Sequence, residues 1–104
     1  MIPKPKRIKD KKAIEQARKP YSELPPNKPT YGAPPHHYYF TVAAGGPDHK
    51  FNLIQLTGSE HVAAHAGNIS KETLLEIVAR REGLDKEVIR DSLIEMRTYG
   101  RGRK

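Results

Sequence analysis

From residue 70 onward the apolar positions recur at helical spacing. Leu74, Leu75, Ile77 and Val78 form one stripe, opened by Ser70 as a cap and closed near Gly83. A second stripe follows, Val88, Ile89, Leu93 and Met96, opened by Asp85 and ended by Gly100. Both are read as core packing. In the middle of the chain the character changes: residues 38–42 (YYFTV) are aromatic and β-branched, and residues 51–56 (FNLIQL) alternate apolar with polar, so each predicts a strand. The intervening AAGGPDHK carries Gly-Gly-Pro-Asp turn chemistry, which joins the two strands into a hairpin with a long loop. Ser59 then caps a short helix through Ala66, with Gly67 placed to end it.

Upstream, residues 10–19 (DKKAIEQARK) are good helix formers with Asp10 as a cap and a stop at Pro20. Residues 20–35 hold Pro20, Pro25, Pro26, Pro29, Pro34 and Pro35, too many for a helix interior or a central strand, and predict a stiff irregular connection. Residues 1–9 are basic and broken by proline, which reads as a mobile arm. The predicted architecture is α+β: an N-terminal helix, a hairpin crossed by a short helix, and two C-terminal helices behind it. A length of 104 residues suits one domain, placed at 10–100 between the arm and a basic tail at 101–104.

Composition narrows the chemistry. Cysteine is absent, so neither disulfides nor a thiolate zinc site can form. The formal charge of +7 favours polyanionic partners, nucleic acid first among them. The charge gathers at the ends, with eight basic and two acidic residues in 1–20 and nine against seven in 71–104. The basic ends either grip phosphates or serve as solubilising tails. No run of about 18 apolar residues and no apolar stretch behind the N-terminal charges is present, so the expectation is a soluble, cytoplasmic protein without a membrane partner.

The histidines carry the candidate chemistry. Four of the five fall in two pairs, His36-His37 ahead of the first strand and His61-x-x-x-His65 on the short helix. Residues at i and i+4 project from one helical face, close enough for both imidazoles to reach one metal ion. His36 can add a third ligand if the hairpin packs on that helix. His37, next to it on an extended strand, faces the other way and stays free to handle a proton, a division that suits phosphodiester hydrolysis. His49 and Asp48 lie in the Gly-Pro-Asp loop; His49 is read as exposed, and Asp48 as a turn residue or, alternatively, as an aid to the loop geometry.

In order along the chain stand HH at 36–37, GG at 45–46, NL at 52–53 and HVAAH at 61–65. This series resembles the HNH endonuclease family, whose members carry a His-His or Asp-His pair, a Gly-Gly loop, an Asn-Leu or Asn-Ile step and a helical His. The likeness runs through residues 36–65 and, more weakly, through the flanks within 10–60 as in phage-type members. The His-x-x-x-His helix is similar to that of colicin-type DNases, which hold one metal with three histidines. The resemblance implies a small ββα-metal domain with its core motif at 36–66. It further implies that His36, His61 and His65 ligate one divalent ion (Mg, Mn, Ni or Zn) and that His37 is the general base. Asn52 becomes the residue that orients the loop aiming that base. The implied function is metal-dependent endonuclease action on double-stranded DNA, by nicking or double-strand cleavage, leaving 5′-phosphate and 3′-hydroxyl ends. The metal would face one phosphate in the minor groove and leave base edges largely unread.

The chain also departs from that family. Many phage-type members frame the motif with two Cys-x-x-Cys pairs on a structural zinc, and the corresponding positions here are Ser22, Pro25, Thr57 and Glu60. Serine, threonine and proline cannot replace thiolates at zinc, so no structural zinc and a fold held by packing alone are expected. Two alternatives stay open: a basic DNA-binding module gripping phosphates through residues 4–19 and 97–104, and an engineered zinc-free scaffold. A zinc-protease helix is excluded because Val62 stands where Glu is required, and no Lys-Ser/Thr phosphate loop exists.

Overall fold

The sequence FNLIQL predicts a strand with one buried and one wet face, yet Leu53, Ile54, Gln55 and Leu56 are all buried in the computed structural model, which describes residues 7–97. The segment is covered on both sides. Ile54 and Leu56 join a core with Leu74, Leu75, Val78, Ala79, Ile89 and Leu93 of the C-terminal helices, together with Tyr38 and Phe40. On the other side Gln55 meets the backbone of Lys19 and Ala33, so the segment just past the N-terminal helix and the proline-rich connection form the second cover.

The element order is α1 (Lys11–Ala17), β1 (His36–His37), 3₁₀ turns at Val42–Ala44 and Lys50–Asn52, β2 (Leu53–Ile54), α2 (Gly58–His65), α3 (Lys71–Glu82) and α4 (Lys86–Met96). The described residues form a small α+β domain of four α-helices and one two-stranded antiparallel hairpin, in register His36↔Ile54 and His37↔Leu53. Asp10 caps α1 by accepting from Lys12 N and Ala13 N, and Ser70 caps α3 in the same manner. α3 ends at Gly83, whose φ of 71° gives the left-handed stop that glycine adopts without strain. Among the described residues no helix is long and apolar enough to cross a membrane.

Several expectations are corrected. The first strand lies at His36–His37, upstream of the predicted 38–42, and the second is shortened to Leu53–Ile54. The cause is the Asn52 side chain: its oxygen accepts from Tyr39 N and Phe40 N at 3.1 Å each, and its nitrogen donates to Phe40 O and Pro47 O at 2.9 and 3.2 Å. Backbone groups that a ladder would use are taken by one carboxamide, so the aromatic run curls around it. The N-cap of α2 is Thr57, not Ser59, in a capping box with Glu60. Val88 is 47% exposed, which leaves Ile89 and Leu93 as the buried positions of α4. α4 ends at Met96, and Gly100 and the tail 101–104 lie outside the described residues.

Arg7 and Ile8, read from sequence as part of a mobile arm, are tied down: Arg7 donates to Gly46 O at 2.9 Å and Asp48 N donates to Ile8 O at 2.9 Å. Residues 1–6 of that arm lie outside the described residues.

Packing is also not the sole adhesive. Gln55 O accepts from Glu23 N and Gln55 N donates to the Glu23 carboxylate, at 2.8 Å each, and Arg81 from α3 reaches the same carboxylate at 3.0 Å and Leu53 O at 3.0 Å. Ser22 donates to Glu60 at 2.5 Å, and Thr57 N donates to the same oxygen at 3.0 Å. Three of the four positions aligned with zinc thiolates by resemblance are therefore joined by hydrogen bonds.

Candidate metal centre

β1 and α2 bring His36, His61 and His65 together. Their ligand-capable nitrogens all lie within 4.8 Å of one another, and His61 Nε2 stands 3.1 Å from His65 Nε2. The ring centroids are separated by 4.2 Å for His36–His61, 5.0 Å for His36–His65 and 4.8 Å for His61–His65. A tetrahedral ion with bonds of about 2.0–2.1 Å spaces its ligands about 3.4 Å apart, so small ring rotations close this set on one ion. The ring of His65 is exposed and free to make such a rotation, whereas His36 is buried and held by the strand.

The electrostatics suit cation capture. Burial, followed by the charges of His61, His65 and His37, pushes His36 down to about 4. Burial and then its histidine neighbours lower His61 as well. A neutral imidazole keeps its lone pair available, so protons compete weakly for these nitrogens at neutral pH.

His37 takes the opposite side of β1. Its Nε2 lies 2.8 Å from Asp48 Oδ1. Asn52 is completely buried and braces the loop between the strands through its four bonds to Tyr39, Phe40 and Pro47. The Gly-Gly step has a steric reason: a Cβ on Gly46 would sit 1.9 Å from Phe40 O and 2.9 Å from Asn52 Nδ2. Gly45 adopts a φ of 84°, in the left-handed region.

Two loop residues do more than an exposed histidine and a plain turn residue would. Asp48 is 5% exposed and partners His37, and His49 is partly buried, its Nδ1 accepting from Phe51 N at 3.1 Å. Only the presence of an acid in the loop joining the strands could have hinted at Asp48. A cleft of about 160 Å³ borders His36 and His65 and is lined by Lys71 at the start of α3. The Lys71 ammonium stands 5.0 Å from the Tyr39 ring centroid and 5.6 Å from that of Phe40, and Arg97 covers Phe40 at 4.6 Å. Two cations thus border the loop beside the histidine cluster.

Comparison of the chain with protein-family models, with curated proteins and with solved structures gives no match.

Proposed function

We propose that this chain is a metal-dependent endonuclease of the HNH type that hydrolyses DNA phosphodiester bonds. The observation that carries the reading is the sorting of four histidines. Three converge on one point from β1 and α2, and the fourth leaves the same strand on its other side, next to a loop braced by a buried asparagine. The order of motifs along the chain supports the same conclusion, as does the net positive charge.

In this reading His36, His61 and His65 hold one divalent ion, which when bound supplies Lewis acidity toward the phosphate and its departing 3′ oxygen. His37 accepts the proton of the attacking water as the new oxygen–phosphorus bond forms. The bond from phosphorus to the 3′ oxygen breaks, and that oxygen takes a proton from solvent. Asn52 acts on geometry, since holding Tyr39, Phe40 and Pro47 holds the loop on which His37 leans. Lys71 and Arg97 offer positive charge to flanking phosphates.

The test is nicking of supercoiled plasmid with magnesium, manganese, nickel or zinc, each with and without chelator. Activity is expected with at least one metal and none in chelator. His37→Ala should lower kcat by about 10²- to 10⁴-fold while zinc affinity by calorimetry stays unchanged, and His61→Ala should weaken that affinity. Plasmid binding without cutting under every metal would leave a basic DNA-binding module as the correct description.

A further inference from the structure

Asp48 is held more tightly than a turn residue requires. Its Oδ1 accepts from Arg7 Nη1 at 2.6 Å and stands 2.8 Å from His37 Nε2, and its Oδ2 accepts from Asp10 N at 3.0 Å. Its own N–H donates to Ile8 O. The segment leading into α1 therefore clamps the carboxylate from one side while His37 meets it from the other. Burial alone would raise the Asp48 carboxyl; hydrogen bonds from Arg7, Asp10 and His37 outweigh it and hold the group below its ordinary value.

An ionised carboxylate can only accept hydrogen bonds. The proton in the His37–Asp48 contact must then reside on His37 Nε2. A neutral imidazole carries one proton, so its lone pair falls on Nδ1. We propose that Asp48 is a positioning residue that fixes His37 in the Nε2–H tautomer and thereby selects Nδ1 as the nitrogen that receives the proton from water. Arg7 completes the device by occupying the carboxylate oxygen that His37 also uses, which keeps Asp48 from turning away. The inference rests on the assignment of His37 as the general base, but the tautomer itself does not depend on any catalysis.

The alternative tautomer shows what the carboxylate contributes. Replacing Asp48 with Asn keeps the shape but lets an amide N–H face His37 Nε2. That nitrogen would then accept, the ring proton would move to Nδ1, and the lone pair would be spent on the asparagine instead of water. The same substitution beside a catalytic histidine in serine proteases costs about 10⁴-fold through the wrong tautomer.

The experiment is imidazole ¹⁵N NMR of the metal-free full-length chain at neutral pH, paired with plasmid-nicking kinetics. In the parent, His37 should show a protonated Nε2 and an unprotonated Nδ1. In Asp48→Asn the pattern should reverse, with kcat down by about 10²- to 10⁴-fold, KM within about twofold and zinc affinity unchanged. Asp48→Glu, which restores an accepting carboxylate, should recover the Nε2–H signature and part of kcat. A parent His37 protonated on Nδ1 overturns the proposal without recourse to a variant, as does an Asp48→Asn chain that keeps the parent kcat. A parent with the Nε2–H tautomer that cuts no DNA under any metal would sink the nuclease reading and leave the Asp48–His37 lock standing.

Discussion

The helical pair α3–α4 and the segment from His36 to Thr57 share one core but are filled by different kinds of contact. Leu74, Leu75, Val78, Ile89 and Leu93 pack as apolar side chains with nothing to satisfy beyond their own helices. Across from them, Asn52, Gln55 and Asp48 are buried too, each with hydrogen-bond partners drawn from distant parts of the chain. Burial of apolar surface is roughly proportional to area and tolerant of detail, whereas a buried polar group must find its partner or lose about 1–3 kcal/mol. The half with the histidines is therefore the half in which single substitutions should act most sharply.

Asn52→Ala offers the largest effect. It strands Tyr39 N, Phe40 N, Phe40 O and Pro47 O, and at about 1 kcal/mol for each orphaned group the loss is about 4 kcal/mol, a large part of an ordinary domain's stability of roughly 5–15 kcal/mol. Urea unfolding would measure it, and hydrogen exchange should show the amides of Tyr39 and Phe40 exchanging faster. Leu75→Ala, in the apolar half, removes a completely buried side chain and should cost about 3 kcal/mol through transfer and cavity terms. If Leu75→Ala proves the more damaging of the two, the contrast between the halves is wrong.

Acid should reach both halves next. Asp48 and Glu82 are both held below their ordinary values, because hydrogen bonds from Arg7, Asp10 N and His37 to the first, and from Arg81 and Lys50 to the second, outweigh the upward push of burial. Groups lowered in the folded state contribute stability that is fully present above about pH 5, where the unfolded carboxylates have already lost their protons, and that fades as pH falls below about 4. The urea midpoint should fall across that window, and less so in Asp48→Asn. An identical pH dependence in parent and variant would remove Asp48 from the account.

The smallest effect is expected to be a gain. Tyr38 Oη is buried and lacks a hydrogen-bond partner among the described residues. Burial raises the phenol well above its ordinary range, so it stays neutral and simply forgoes its hydration. Tyr38→Phe should raise stability by about 1 kcal/mol in the same urea assay. A loss of that size would mean that the hydroxyl has a partner after all.

The amphipathic period of α3, the caps at Asp10 and Ser70 and the stop at Gly83 were all readable from the chain, since each depends on neighbours within a turn or two. The two histidine pairs were readable for the same reason: i and i+4 on a helix and adjacent residues on a strand are local relations. The capping box of α2 was also written locally, as Thr57 and Glu60, although Ser59 drew attention from it.

Other features depended on distance. That residues 38–42 would abandon the ladder required Asn52, about a dozen positions later, to capture their backbone groups. That Asp48 would meet His37 and Arg7, and that Ser22 would reach Glu60, follows from loops that the sequence marks only as turns and prolines. Periodicity and caps are inscribed in the order of residues because helices and strands form between near neighbours. Which buried polar atom finds which partner is settled only when segments far apart in the chain pack together, because the partner's position is a property of the folded core.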